Sequence, residues 1–68
     1  MPLSARNRLT GTVTDVTMGD VVAEVELELD DGQQMTALIT ANSVERLGIE
    51  PGETVDAVVK ATNVMIEA

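Results

Sequence analysis

The chain has 68 residues with no Cys, no His and no aromatic side chain, and twelve acids against four cations leave a formal charge of −8. That length allows one small domain, residues 1–68, which buries only about 60% of its unfolded surface and needs added support. Without Cys or His, disulfides and ordinary zinc sites are excluded, so association with further copies is the remedy left.

Charge and composition narrow the partners as well. Phosphate backbones need cations and unstacked bases need aromatic rings, so nucleic acid is not an expected partner. Anionic membrane surfaces are disfavoured in the same way. No apolar run approaches the ~20 residues of a membrane span, and the first residues lack the apolar core of a signal peptide. A cytoplasmic location is expected.

Leu9 to Val16 reads as a first strand, rich in Thr and Val, with Gly11 marking a bulge or bend of the kind that closes a small barrel. Met18-Gly19-Asp20 turns the chain into a second strand, Val21 to Leu29. There Val21, Ala23, Val25, Leu27 and Leu29 share one face, and Glu24, Glu26 and Glu28 the other, the period of a half-buried strand. Asp30-Asp31-Gly32 supplies a hairpin turn, and Gln33 to Thr40 alternates again with Met35, Ala37 and Ile39 inward.

A short helix follows. Thr40 is a good N-cap, Asn42 with Glu45 offers a second capping register, Val44 and Leu47 share a side, and Gly48 stands where a helix ends. After the Pro51-Gly52 turn, Thr54 to Lys60 and Thr62 to Ile66 are two further strands around Ala61, or one long bent strand. The expected fold is mainly β: a five-stranded OB-like barrel with one short helix between strands 3 and 4.

The polar stretches at the two ends carry the chemistry. Ser4-Ala5-Arg6-Asn7 and Lys60-Ala61-Thr62-Asn63 hold two of the four cations, each beside hydroxyl and amide donors and away from carboxylates. Thr40 and Ser43 add hydroxyls at a helix start, where unpaired N–H groups and the helix dipole favour anions. Arg6 brings a planar fork of donors and Lys60 a mobile point charge. With Ser4, Asn7 and Thr62 these residues make a shell rich in donors and poor in acceptors. Phosphate, usually protonated near neutral pH, wants an acceptor. Sulfate, molybdate and tungstate want none. Taken singly, each residue also has an ordinary use: Ser4 and Asn7 as a solvated strand lead-in, Thr40 and Ser43 as a helix cap, Lys60 as an outward strand residue. Arg8 and Arg46 read as surface residues outside the shell.

The conjunction of Ser4-Ala5-Arg6-Asn7, Gly11, the run Ile39 to Ile49 with Thr40-Ala41-Asn42-Ser43-Val44, Pro51-Gly52-Glu53 and Val59-Lys60-Ala61-Thr62-Asn63-Val64-Met65 resembles the molbindin or Mop family. These are molybdopterin-associated oxyanion-binding domains, related to the TOBE domains of transporter ATPases and molybdate-responsive regulators. The similarity runs from about Leu3 to Ile66. It implies a homo-oligomer, a hexamer built as a trimer of dimers, holding molybdate or tungstate between subunits. It also implies storage or homeostasis of that oxyanion in the cytoplasm. Carried over, the oxyanion-binding residues are Ser4, Arg6 and Asn7 of one subunit, with Thr40, Ser43, Lys60, Ala61 and Thr62 of a neighbour; Ala61 acts through its backbone. With no ATPase segment or DNA-binding helix pair, the free-standing form is expected.

Two other readings compete. An OB-like protein-interaction module without an ion ligand would leave both polar stretches decorative. An enzyme would need a Ser or Thr nucleophile without His or Cys beside it, and no Ser-x-x-Lys or Gly-x-Ser-x-Gly is present. Catalysis is not expected.

Overall fold

The computed structural model describes residues 4–68. Residues 1–3, which the expected 1–68 domain includes and where the family resemblance begins at Leu3, lie outside the described residues.

Four strands form one antiparallel sheet in the order β3-β2-β1-β4: β1 Asn7–Met18, β2 Val22–Leu29, β3 Gln34–Thr40 and β4 Thr54–Val59. The helix α1, Ala41–Leu47, stands between β3 and β4 as the sequence predicts. β1 is the spine. Its first half pairs with β4 from Asn7↔Val59 to Thr12↔Thr54, and its second half pairs with β2 as far as Met18↔Ala23. Gly11 belongs to both ladders, opposite Leu29 and Val55. The result is a mainly β, curled half-barrel.

The apolar residues of β1 change phase along the strand, and the structure shows why. Gly11 and Val13 are buried, whereas beyond them Val16 is the residue that packs on the core. The register slips between Val13↔Leu27 and Asp15↔Glu26, leaving Thr14 as the extra residue, its hydroxyl donating to the Glu26 carbonyl at 3.3 Å. The bulge therefore sits at Thr14, three residues beyond Gly11. Gly11 serves close approach instead: a Cβ there would stand 2.9 Å from the Glu28 carbonyl oxygen and 3.1 Å from Leu29 Cδ2.

The hairpin forms as its alternation demands. Ala23, Val25 and Leu27 are buried, and Met35 and Ile39 pack beside them. Gly32 adopts φ 87° and its N–H donates to the Leu29 carbonyl at 2.9 Å, closing the turn. Val21 departs from expectation. It precedes β2 in the turn after Gly19 and is 72% exposed. Its carbonyl accepts from Ala41 N–H at 2.8 Å, so its backbone fastens the helix start while its side chain stays outside.

α1 is capped as predicted. Thr40 Oγ1 accepts from Ser43 N–H at 3.0 Å, and Gly48 ends the helix at φ 66° with its N–H on the Glu45 carbonyl at 3.2 Å. Asn42 is inside the helix, so the Thr40 register prevails. Val44, 6% exposed, closes one end of the core formed by Val13, Ala23, Val25 and Leu27.

The fifth strand is a correction. Four strands are found among the described residues. Ala61–Asn63 is a turn of 3-10 helix, closed by Asn63 N–H on the Lys60 carbonyl at 2.9 Å, and no ladder includes residues 64–68. Period-two alternation shows that Thr62 to Ile66 can be extended. It does not supply a neighbouring edge.

Candidate functional site

The register of β1 decides where each candidate falls. Asn7, half-buried, opens β1 opposite Val59, and Lys60 follows Val59 directly. The chain entering β1 and the chain leaving β4 therefore meet at one end of the sheet. There Arg6 and Lys60 are exposed, Ser4 lies on the bend leading into β1, and Ala61 and Thr62 form the exposed 3-10 turn. Among the described residues neither Arg6 nor Lys60 makes an ion pair, whereas Arg8, one residue along, is tied to Asp56 at 3.3 Å.

That pairing isolates the cluster chemically. Asp56 accepts from the Thr10 hydroxyl at 2.7 Å and from Arg8 at 3.3 Å. The Thr10 hydrogen bond holds the Asp56 carboxyl below its ordinary value against an opposing desolvation, with the Arg8 hydrogen bond and charge adding smaller lowering contributions. The nearest acid on β4 is thus occupied on the strand, and the cations at its end are left to bind something else.

Thr40 and Ser43 lie elsewhere. β3 ends with Thr40 opposite Val22, beside the Met18 end of β1, so these hydroxyls stand at the far end of the sheet from Asn7 and Lys60. Twelve residues of β1 separate the two ends, roughly 40 Å of strand path, in a molecule whose longest extent is 34 Å. One copy brings Ser4, Arg6, Asn7, Lys60, Ala61 and Thr62 together and keeps Thr40 and Ser43 apart from them. The resemblance grouped Lys60 to Thr62 with Thr40 and Ser43 on one subunit; within a single chain they are not neighbours.

At the helix end, the Thr40 hydroxyl donates to Ser43 Oγ at 2.7 Å while accepting from Ser43 N–H. Arg46 reaches back along the helix and places a guanidinium nitrogen 3.4 Å from Ser43 Oγ. Sequence reasoning set Arg46 aside as a surface residue. The signal available was its spacing, three residues after Ser43 and so on the same helix face. With Ser43 Oγ already accepting from two donors, its own proton is free for an anion. This second cluster also contains one cation, which among the described residues has no carboxylate partner.

Two depressions in the surface are lined by none of the candidate donors. One is lined by Val16, Met18, Val44, Glu45, Gly48, Ile49 and Glu50, another by Leu9, Thr10, Leu29, Asp30 and Asp31. Their carboxylate rims suit an oxyanion poorly. Among the described residues no three His, Cys, Asp or Glu side chains gather as a bare metal-ion site would require. No helix is long and apolar enough to cross a membrane. What the two clusters can do is donate hydrogen bonds and positive charge to a compact anion, each from one side.

Comparison with known proteins agrees with that chemistry. The TOBE domain profile matches residues 3–66. The molybdenum-pterin-binding protein 2 of Clostridium pasteurianum is 48% identical over 68 residues, spanning 100% of both chains. A molybdate-binding protein from Sporomusa ovata superimposes with a TM-score of 0.95 at 37% identity over 100% of each chain. ModG, a cytoplasmic molybdate-binding protein solved with molybdate bound, gives a TM-score of 0.91 at 48% identity, covering 96% of this chain and 46% of that one.

Proposed function

The chain belongs to the TOBE domain family, and on that footing we propose that it binds molybdate, or the near-isosteric tungstate, at junctions between copies of itself. Residues 1–68 act as one domain of the Mop kind, holding the oxyanion in the cytoplasm as a store and catalysing nothing. The copies assemble as a hexamer, a trimer of dimers.

The observation that carries this is the placement of unopposed donors. In a chain with twelve acids, Arg6 and Lys60 at one end of the sheet and Arg46 with Ser43 at the other make no ion pair among the described residues, whereas Arg8 is paired with Asp56. Ser4, Arg6, Asn7, Lys60, Thr62 and the Ala61 N–H face the anion from one copy, and Thr40 and Ser43 from the next. A site built from donors alone favours a guest with no proton to place, so phosphate is disfavoured. Sulfate is smaller than molybdate and tungstate, so the size of the site separates it from them. Exposed acids elsewhere are screened beyond about 8 Å at physiological salt, so the overall −8 does not forbid capture of a dianion.

Isothermal titration with molybdate, tungstate, sulfate and phosphate tests the reading. Heat with the first two and none with the last two supports it. Silence from all four removes it and leaves an OB-like interaction module.

A further inference from the structure

We propose that Asp56 sets how tightly the terminal cluster holds its anion, by keeping the Arg8 guanidinium out of that cluster. This rests on the oxyanion reading above.

The register puts a third cation within reach of the cluster. Exposure alternates from Ser4 to Arg8, with Ser4, Arg6 and Arg8 outward and Ala5 and Asn7 half-buried. β4 alternates likewise, with Asp56 and Val58 outward, and Lys60, extended at φ −68° and ψ 141°, continues that face. Arg8 pairs with Val58. It is therefore diagonal to Asp56 in one direction along β4, diagonal to Lys60 in the other, and two residues from Arg6 on its own side of the pairing. Diagonal neighbours on one face stand about 7–8 Å apart, within reach of a long side chain. An arginine at this position has two places to go: the carboxylate on one side, or an anion held by Arg6 and Lys60 on the other.

In the structure it goes to the carboxylate. Arg8 Nη1 donates to Asp56 Oδ2 at 3.3 Å. The Thr10 hydroxyl, directly opposite Asp56 in the ladder, donates to Oδ1 at 2.7 Å. Thr10 thus fixes the carboxylate by one oxygen and leaves the other for Arg8. The two bonds differ in strength. The Thr10 bond is short, whereas the Arg8 bond is long and its side chain is 59% exposed. Surface ion pairs of this sort are weakly held. Among the described residues it is the one ion pair, and it falls on the cation next in line to the cluster. The Asp56 carboxyl is held below its ordinary value, chiefly by the Thr10 hydrogen bond, so the pair persists near neutral pH.

An anion gripped by Arg6, Lys60 and Arg8 together would leave slowly. A store must give back what it holds. Asp56 serves that need by offering Arg8 a competing partner, which the anion has to displace before the third cation can join.

A double-mutant cycle read by molybdate titration calorimetry tests this. Asp56→Asn keeps an oxygen that can accept from Thr10 and removes the charge that holds Arg8. Its Kd is expected to fall about two- to fivefold, the range of an exposed charge pair. Arg8→Ala is expected to match wild type, and so is Arg8→Ala/Asp56→Asn, because the gain needs the freed guanidinium. Asp56→Ser, which also leaves Thr10 an oxygen partner, takes the place of Asp56→Asn in the cycle if circular dichroism shows that the latter has not folded. An unchanged Kd in the Asp56 variant overturns the inference. An additive cycle does so too, whether the gain persists in the double variant or Arg8→Ala loses as much as Asp56→Asn gains; either would report the field of a charge and not the movement of a side chain. Wild type silent towards molybdate ends the oxyanion reading and this inference together, whereas a wild type that binds and an additive cycle end the inference alone.

Discussion

Removing the Lys60 amine should weaken molybdate binding without unfolding the protein. The size of the effect follows from its surroundings. Lys60 is exposed, its backbone is extended at φ −68° and ψ 141°, and among the described residues no carboxylate pairs with it. Lys60→Ala therefore leaves no orphaned partner in the free protein, and the loss appears in the complex alone. A charge-assisted hydrogen bond contributes about 1.5–3 kcal/mol, which at roughly 1.4 kcal/mol per decade is about a 10- to 150-fold rise in Kd. Titration calorimetry of Lys60→Ala against wild type reads this directly, with a thermal melt to show that the fold persists. Arg8→Ala is the control, because Arg8 faces Asp56 and not the terminal cluster; its affinity for molybdate should match wild type. If Lys60→Ala binds as tightly as wild type, or Arg8→Ala loses as much, the terminal cluster is not the anion's contact.

Thr40→Val removes the hydroxyl that caps Ser43 N–H at 3.0 Å; it should cost about 1 kcal/mol and lower Tm by roughly 4–8 °C, read by circular dichroism. Gly11→Ala drives a Cβ to 2.9 Å from the Glu28 carbonyl, so the urea midpoint should fall by an amount equivalent to about 1–3 kcal/mol, as for other overpacked positions; an unchanged midpoint would mean that β1 and β2 yield freely there. Asp56 titrates below its ordinary value when folded, so its stabilisation is complete above the ordinary carboxylate range and disappears as pH falls through the lowered value. Asp56→Asn should flatten that part of the acid limb in a pH series of melts, and Thr10→Val should do so in part, since the hydroxyl's hydrogen bond is the largest single influence on the carboxyl.

The hairpin, the helix with its two caps and the mainly β class were legible in the sequence because each rests on local rules. Alternation over Val21 to Leu29 and Gln33 to Thr40 needs only neighbours, and Thr40 and Gly48 act within one turn of the helix. What escaped was set by partners distant in the chain. Thr62 to Ile66 has a strand's pattern, but pairing depends on a neighbouring edge, and among the described residues no ladder includes it. The bulge at Thr14 shows in sequence as a shift of apolar residues from odd to even positions between Val13 and Val16, a signal weaker than Gly11 and easily credited to it. Val21 matched the buried face by parity and lost its place to the turn after Gly19.

The donors were legible by type and not by grouping. Ser4 to Asn7 and Lys60 to Thr62 stand out against an acidic background, and antiparallel pairing of β1 with β4 brings them to one end. That Thr40 and Ser43 fall at the other end depends on the full length of β1, which runs beyond Leu9 to Val16 at both ends. Arg46 entered the helix cluster through a side chain reaching back toward Ser43, which composition does not show.

The claim that molybdate is held between copies is tested most directly by native mass spectrometry of the untagged protein, with and without added molybdate. The account predicts a multimer that carries molybdate and, on activation, loses the anion whenever a subunit leaves. A single chain retaining molybdate, or a multimer that takes up none at saturating concentration, would contradict it.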